Sequence, residues 1–482
     1  MRTELILQVY GQYIQKEMTN LFEIFKQSWD TKEFETGVRE LLDELEAILI
    51  MVGINEILSG RDFLERLKAV GSKLGMRFKE YRYLQVRLHN GIQVKIRTPY
   101  FIKAKSKRGR KKKGPNGRGH HLGLAVLGIL GQATPGCISF VVQMGLLCPS
   151  LEVAQTVLKE QGFKIDVKTI RRYCRVLGET GMQWRGQVSL DGSEKLSGNT
   201  LVIGIDGGRI RTRRRKRGRR KAAQKRQGFH TDWKEPKLFT IYLLDPQGEI
   251  IRDFSPLHDA TMGDHHQALA LLEQYLAALP LADAARLVFC GDGARWIWSD
   301  ITALCERMAL DMARIHQVLD YTHAKQQLHI VLDYVAKGKR QQQKLDKKWR
   351  ALLWQGQIDT LKTEIKRVCT GTRLQSALKK WRTYFSENKD RMQYQTFQDA
   401  GLPCGSGSVE SAIRRVINLR LKAPGTFWTL PMAEVFLFLR SQLLSGRWSI
   451  MIRNISRQTA RFLQRIHEPL NHFASFQPLV FS

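Results

Sequence analysis

The segment TLVIGIDGG, residues 200–208, decides the fold of this chain. It is a continuous apolar run that ends on an acid, Asp206, and such runs are typical of a central strand buried on both faces of a sheet. The run ARLVFCGD, residues 285–292, repeats the pattern and ends on Asp292. Ligand sites in α/β sheets gather at the carboxyl ends of strands. We therefore expect Asp206 and Asp292 at the ligand-binding edge of an α/β sheet.

The segments around these two strands complete the pattern. KLFTIYLLD (237–245) and GEIIRDF (248–254) are predicted strands separated by a turn at PQG, and MARIHQVLD (312–320) is a short one. Helices are predicted at 265–279 and 296–309. This order is that of an α/β domain with a mixed sheet.

A third acid follows a long helical stretch. Residues 324–400 are predicted to be almost wholly helical. Glu410 lies near the start of the next helix, behind the glycine- and serine-rich loop 404–408. A carboxylate on such a helix could move against the two strand-end aspartates.

Three acids at an apolar strand end would repel one another and raise each other's pKa values unless cations lay between them. Mg²⁺ is the expected ion because it prefers carboxylate and phosphate oxygens, and Mn²⁺ could replace it. Two such ions, about 3.5–4 Å apart, can activate an attacking hydroxyl and stabilise a leaving oxygen. We therefore expect Asp206, Asp292 and Glu410 to be metal ligands in a site for phosphodiester cleavage and strand transfer. Each acid alone has a simpler explanation, as a turn residue, a helix cap or a first-turn residue.

Composition indicates a polyanionic partner. Lys and Arg number 78 against 45 Asp and Glu, a net charge of +33, and nucleic acid is the usual partner of such an excess. A membrane surface is the alternative, but no basic amphipathic helix stands out. With no stretch of about 18 apolar residues and no apolar leader, we expect a soluble protein of the cytoplasm, associated with the nucleoid when bound to DNA. The seven scattered cysteines contain no CxxC pair and are expected to be reduced.

The amino-terminal half is predicted to be mainly helical and to bind DNA. Residues 1–100 contain helices and a β-hairpin around Asn90-Gly91, and residues 101–121 form a basic linker with 8 Lys or Arg among residues 103 to 113. Residues 122–195 contain two short helices that suit a helix-turn-helix, although an ordinary helical hairpin is the common alternative. The second of these helices offers four cations to DNA: Lys168, Arg171, Arg172 and Arg175. A catalytic domain at 196–450 and a tail at 451–482 complete the predicted organisation.

Three strings resemble the DDE transposases of bacterial insertion sequences: GIDGGRIR (204–211), CGDGARWIW (290–298) and GSGSVES (405–411). The resemblance covers roughly residues 200–450 and is greatest to the ISKra-type elements, which share features with Mutator-like transposases. It implies an RNase H-like catalytic domain with an α-helical insertion at about 324–400. It also implies that Asp206, Asp292 and Glu410 are the catalytic triad.

The resemblance extends to Asp320 and His323, which match a D-x-x-H motif of Mutator-like enzymes. Here His323 would contact the scissile phosphate or the leaving group, and Asp320 would orient its ring. The alternative is that both residues stabilise the start of a helix near Tyr321.

Further residues are predicted to contact DNA. The run 209–226 has 12 basic residues in 18 and is expected to be a loop that is disordered without DNA. Of Trp296 and Trp298, one is expected in the core and the other, assigned as Trp298, could stack on a flipped base. The predicted DNA contacts in this half are Arg209, Arg211, Arg213, Arg214, Arg215, Trp298, Arg414 and Arg415. The adjacent His265 and His266 lack partners for zinc in the sequence, so no zinc site is predicted.

The predicted function is therefore transposition. The partners would be the terminal repeats of the element and target DNA, both double-stranded, and synapsis would require a homodimer or a larger assembly. Two alternatives stay open: a catalytically idle DNA-binding protein derived from a transposase, and an RNase H-like nuclease or resolvase that cuts without joining.

Overall fold

The computed structural model describes residues 2–104, 119–186, 193–218 and 227–464. The chain forms two compact units. One runs to Gly181 and also includes the chain from Ser449, and the other is Met182–Trp448. Most of the predicted basic linker, and the carboxyl-terminal part of the predicted tail, lie outside the described residues.

The first unit is mainly helical, as predicted. Its elements are α1 (Arg2–Ser28), α2 (Thr31–Ser59), α3 (Arg61–Lys73), β1 (Met76–Arg87), β2 (Gln93–Lys103), α4 (Leu122–Val126), α5 (Pro135–Leu147), α6 (Leu151–Glu160) and α7 (Val167–Met182). The predicted hairpin is β1–β2, an antiparallel pair. Its loop closes where Leu88 N–H donates to the Ile92 carbonyl at 2.8 Å, and Gly91 takes the left-handed conformation at φ +88° that such a loop requires.

The predicted helix pair is α6 and α7. Ser150 caps α6 by accepting the Val153 N–H, and Gln155 Nε2 donates 2.9 Å to the Ile165 carbonyl beyond the turn. One face of α7 is buried. The four predicted cations, Lys168, Arg171, Arg172 and Arg175, are all exposed. Residues 122–181 belong to the same compact unit as the amino-terminal helices.

The second unit is built on a five-stranded mixed sheet. The strands of this unit are β3 (Thr200–Gly207), β4 (Ile210–Arg215), β5 (Phe229–Lys234), β6 (Lys237–Leu244), β7 (Leu257–Thr261), β8 (Arg286–Gly291) and β9 (Ile315–Leu319). The sheet order is β7-β6-β3-β8-β9. β6 runs antiparallel to β3 and β7, whereas β8 runs parallel to β3 and to β9. β3 and β8 are almost entirely buried, as their apolar runs predicted.

Helices cover the sheet and fill the predicted helical region. They are α8 (His265–Ala277), α9 (Arg295–Arg307), α10 (Tyr321–Val335), α11 (Lys339–Trp354), α12 (Ile358–Val368), α13 (Gly371–Lys380), α14 (Tyr394–Asp399), α15 (Gly407–Ala412), α16 (Leu419–Leu421) and α17 (Leu430–Leu444). The last helix, α18 (Trp448–Gln464), belongs from Ser449 onward to the first unit. Turns of π-helix, at Trp381–Ser386 and Ile413–Asn418, follow α13 and α15. None of the helices within the described ranges combines the length and apolarity that a membrane span requires.

Two predictions about strands were wrong. The segment 248–254 is not a strand: Ile250 is 55% exposed and makes a single bridge to Leu244. The third strand is instead β7, whose polar sequence LHDAT is fully buried. The start of the basic run 209–226 is likewise not a disordered loop, because β4 pairs with β5 in an antiparallel hairpin.

Candidate active site

The predicted aspartates lie side by side at one edge of the sheet. Ile205 of β3 is level with Gly291 of β8, and Gly291 is level with Leu319 of β9. The residue that follows each of these three is an acid: Asp206, which is still within β3, and Asp292 and Asp320, which come directly after β8 and β9. Paired strands are about 4.8 Å apart, and residues in register point to the same face. The parallel pairing therefore places three carboxylates in one row.

Glu410 joins this row from α15. Gly204 of β3 permits the approach, because a Cβ there would lie 3.0 Å from Cβ of Val409 on α15. The loop before α15 is fixed to the end of β9: Ser406 N–H donates to Asp320 Oδ2, and Tyr321 N–H donates 3.0 Å to the Cys404 carbonyl. One ligand atom each of Asp320, His323 and Glu410 lies within 4.8 Å of the others.

The pKa of Asp206 reports the same convergence. The pKa of Asp206 is raised to about 6, chiefly by burial and in addition by the charges of Asp292 and Glu410. The hydrogen bond from Gly207 N–H and the nearby His323 act in the opposite direction on this pKa. A half-buried carboxylate that faces two others is the arrangement that a divalent cation stabilises. The donor set, carboxylate oxygens beside one imidazole, therefore fits Mg²⁺ or Mn²⁺.

Asp292 is held by its own loop. Its Oδ1 accepts the Ala294 N–H at 2.9 Å, and its carbonyl accepts the Nε1–H of Trp298 at 2.8 Å. Gly293 is required here, since a Cβ would lie 2.2 Å from the ring of Tyr384 in the π turn after α13. The Tyr384 hydroxyl is buried without a hydrogen-bond partner among the described residues, and burial, together with the charges of Asp292 and Asp320, raises its pKa. Sequence reasoning missed Tyr384, because nothing in a helical segment indicates that one side chain returns to the sheet.

Asp320 stabilises the start of α10, which is the alternative that the sequence left open for this residue. Its Oδ1 accepts the backbone N–H of His323 at 2.7 Å and so caps the helix. Its Oδ2 accepts the Ser406 N–H. Asp320 is 1% exposed and connects β9, α10 and the loop before α15. It is therefore a positioning residue for Glu410.

The burial of Trp298 contradicts its predicted stacking on a flipped base. Trp298 is 5% exposed, its Nε1–H is used on the Asp292 carbonyl, and the Arg391 guanidinium lies 4.8 Å from its ring centre. No face of this indole is open to a base. Trp298 supports the Asp292 loop.

Trp233, on β5, is an exposed aromatic residue. The arginines of β4 alternate with aromatic rings on one face of the β4–β5 hairpin, because Arg211 is level with Trp233 and Arg215 with Phe229. Trp233 is 47% exposed, and the Arg209 guanidinium lies 5.5 Å from its ring centre. We call these residues, Arg209, Arg211, Arg213, Arg215, Phe229 and Trp233, the hairpin face. The other predicted contacts Arg214, Arg414 and Arg415 are exposed as well.

Loss of the Asp206 charge should stabilise the metal-free protein. The pKa of Asp206 in the folded protein, about 6, exceeds the usual value near 3.9. The part of the unfolding free energy that depends on neutral Asp206 is therefore fully present below pH 4 and is lost as the pH rises through 6. Asp206→Asn should therefore raise the unfolding free energy at pH 8 by about 3 kcal/mol and leave it unchanged at pH 4. Urea unfolding with EDTA measures the difference, with the exposed Asp253→Asn as the control. An equal gain at both pH values would contradict the assigned pKa.

Comparisons with known proteins add little. No protein-family model matches the sequence, and no curated protein matches it. Among solved structures, the chain is similar to a Drosophila P element transposase strand transfer complex, with 11% sequence identity over 69% of this chain and 84% of that chain. The TM-score is 0.22, and at that level the similarity carries no conclusion about fold or function.

Proposed function

We propose that this protein is a DDE transposase that cleaves DNA at the ends of an insertion sequence and joins them to target DNA. The observation that carries the proposal is the convergence of Asp206, Asp292 and Glu410, which are far apart in the chain, at one edge of a sheet. We also propose that the insertion sequence is of the ISKra type, because the motifs resemble those elements.

The sheet supports an RNase H-like assignment. In chain order its strands are β3, β6, β7, β8 and β9, which gives the spatial order third, second, first, fourth, fifth. Only β6 opposes the direction of its neighbours. The acids at the ends of the first and fourth strands, with a glutamate on a later helix, stand where the resemblance places a catalytic triad. The helices α10–α14 would be the insertion.

Asp206, Asp292 and Glu410 would hold two Mg²⁺ ions, which when bound activate the attacking oxygen and stabilise the leaving oxygen of a phosphodiester. The residues of the chain supply the rest. Asp320 fixes the loop that carries Glu410, and Trp298 and Ala294 fix Asp292. His323, within 4.8 Å of Glu410, would hold or donate a proton at the scissile phosphate.

Two surfaces would bind DNA, each within its own unit. The exposed cations of α7 suit the major groove, as the second helix of a helix-turn-helix does. The hairpin face begins three residues after Asp206 and presents guanidinium groups for phosphates and aromatic rings for unpaired bases. Two ends must be brought together, so the active form is proposed to be a homodimer or larger.

Trp233→Ala should weaken binding to DNA that has a single-stranded flank by about tenfold, because base stacking contributes about 1–3 kcal/mol. Binding to blunt duplex should change less than twofold. Thr231→Ala, an exposed change on the same strand, is the control. Fluorescence anisotropy at fixed salt measures both. Equal losses on the two DNAs would contradict stacking at the hairpin face.

The proposed activity is tested with the protein, Mg²⁺, a supercoiled plasmid, and labelled DNA from either side of its own coding sequence. Transposition predicts cleavage at defined ends and covalent joining of those ends to the plasmid. Cleavage without joining would favour the nuclease or resolvase. Binding without cleavage would favour the idle DNA-binding protein.

A further inference from the structure

A second group of metal-ligating side chains lies away from the acid row. His265 and His266 begin α8, and Asp300 lies in the second turn of α9. His265 Nε2 is 3.6 Å and His266 Nδ1 is 3.8 Å from the same oxygen, Asp300 Oδ2. One ligand atom from each residue lies within 4.8 Å of the other two. A third ligand was not predicted, because Asp300 is far from the histidines in the chain.

These distances are too long for hydrogen bonds and suit a shared ion. A tetrahedral zinc site with bonds of about 2.0–2.1 Å places its ligand atoms roughly 3.3 Å apart, so a small closure of the three side chains would complete it. Asp300 Oδ1 already accepts a hydrogen bond from Ser299 at 3.2 Å. Asp300 Oδ2, which faces both imidazoles, is buried and has no hydrogen-bond partner among the described residues. A carboxylate oxygen without a hydrogen-bond partner can serve as a ligand to a cation.

We propose that His265, His266 and Asp300 bind one first-row transition-metal ion, with Zn²⁺ as the physiological candidate. Two imidazole nitrogens and one carboxylate favour Zn²⁺ over Mg²⁺, which prefers oxygen ligands. A fourth position is left for water, because the chain supplies three ligands. This site is distinct from the acid row in ligand type, and it does not depend on the proposed transposase activity.

The ion would link α8 to α9, the helix that supports the Asp292 loop. α9 begins three residues after Asp292, and its Trp298 holds the Asp292 carbonyl. The histidines stand on α8, directly after the cap formed by Asp264. A metal bridge between α8 and α9 would therefore restrain the helix that supports the Asp292 loop. The ordinary alternative is a His–carboxylate ion pair, which needs a protonated imidazole and no metal.

The test uses the full chain, stripped of metal and titrated with Co²⁺ and then Zn²⁺. We expect one equivalent of Co²⁺ to give the visible absorption of a nitrogen-ligated, low-coordinate site, and Zn²⁺ to displace it and raise the melting temperature. His266→Ala should weaken binding by at least about 100-fold, given that loss of even outer-shell partners costs 10–100-fold. The His266 side chain is 73% exposed, so its removal should leave the fold intact. Asp300→Asn should act in the same way.

Two control variants, at residues outside the proposed site, should leave Co²⁺ binding unchanged. His329 pairs with a single acid, Asp346, at 3.7 Å, so His329→Ala should bind Co²⁺ as the wild type does. Asp206→Asn, in the acid row, should also keep the Co²⁺ spectrum. Absence of binding to the wild type, or binding that survives both His266→Ala and Asp300→Asn, would overturn the proposal.

Discussion

Replacing Asp292 with asparagine is expected to abolish Mg²⁺-dependent cleavage and joining, with a loss of at least about a thousandfold, or roughly 4 kcal/mol of transition-state stabilisation. Asparagine has the same volume and still accepts the Ala294 N–H that shapes the loop. It lacks the charge that would hold a divalent cation beside Asp206. The loss should therefore be in the chemical step and not in folding.

The measurement is single-turnover cleavage of labelled ends, with DNA binding recorded in parallel. Asp292→Asn and Glu410→Gln should bind DNA within about twofold of the wild type, since phosphate contacts come from other residues. Asp253→Asn, an exposed acid of the same unit, should keep full activity. Undiminished strand transfer by Asp292→Asn would exclude Asp292 as a metal ligand.

Arg185→Ala is expected to cost about 3–5 kcal/mol of unfolding free energy, because it leaves buried carboxylates without a counter-charge. Arg185 Nε and Nη2 donate to the two oxygens of Asp259 at 2.8 and 2.7 Å, and Nη1 donates to Glu434 at 2.6 Å. Asp259 is completely buried on β7 and also accepts the Tyr275 hydroxyl. Glu434, on α17, accepts the Met262 N–H as well, so the network ties the edge strand to that helix.

Urea unfolding at pH 7 measures the effect, with the exposed Arg252→Ala as the control. Arg185→Lys should lie between the wild type and alanine, because an ammonium keeps the charge but loses the bidentate geometry. A cost below about 1 kcal/mol for Arg185→Ala would contradict this role, because only solvent-exposed ion pairs contribute so little.

Local sequence predicted one strand of the sheet in the wrong segment. GEIIRDF contains two isoleucines and was predicted to be a strand, yet Ile250 is exposed and LHDAT forms β7 instead. Two polar groups of β7 are satisfied by partners from elsewhere in the chain: Arg185 pairs with the Asp259 side chain, and Ser445 Oγ accepts the backbone N–H of His258. Those partners are remote in sequence, so no local pattern could indicate the strand.

The β4–β5 hairpin was missed for the opposite reason. Its residues are mostly charged and exposed, so no apolar alternation marks them as strands. The pairing is supported instead by the segment after α16, where Arg213 N–H donates 2.7 Å to the Trp428 carbonyl and Trp428 N–H donates 3.0 Å to the Arg211 carbonyl.

The sequence by itself determined the strands that are buried on both faces, the acids that end them, and the helices with strong apolar periodicity. Those features depend on burial and local backbone preference, which neighbouring residues encode. Only the tertiary structure decided which acids meet and that Asp320 fixes the loop before Glu410. It also decided that Trp298 is buried while Trp233 is exposed, and that Asp300 faces two histidines. Each of these depends on the register between strands or the packing of distant helices, and such contacts between remote residues leave no periodic trace in the chain.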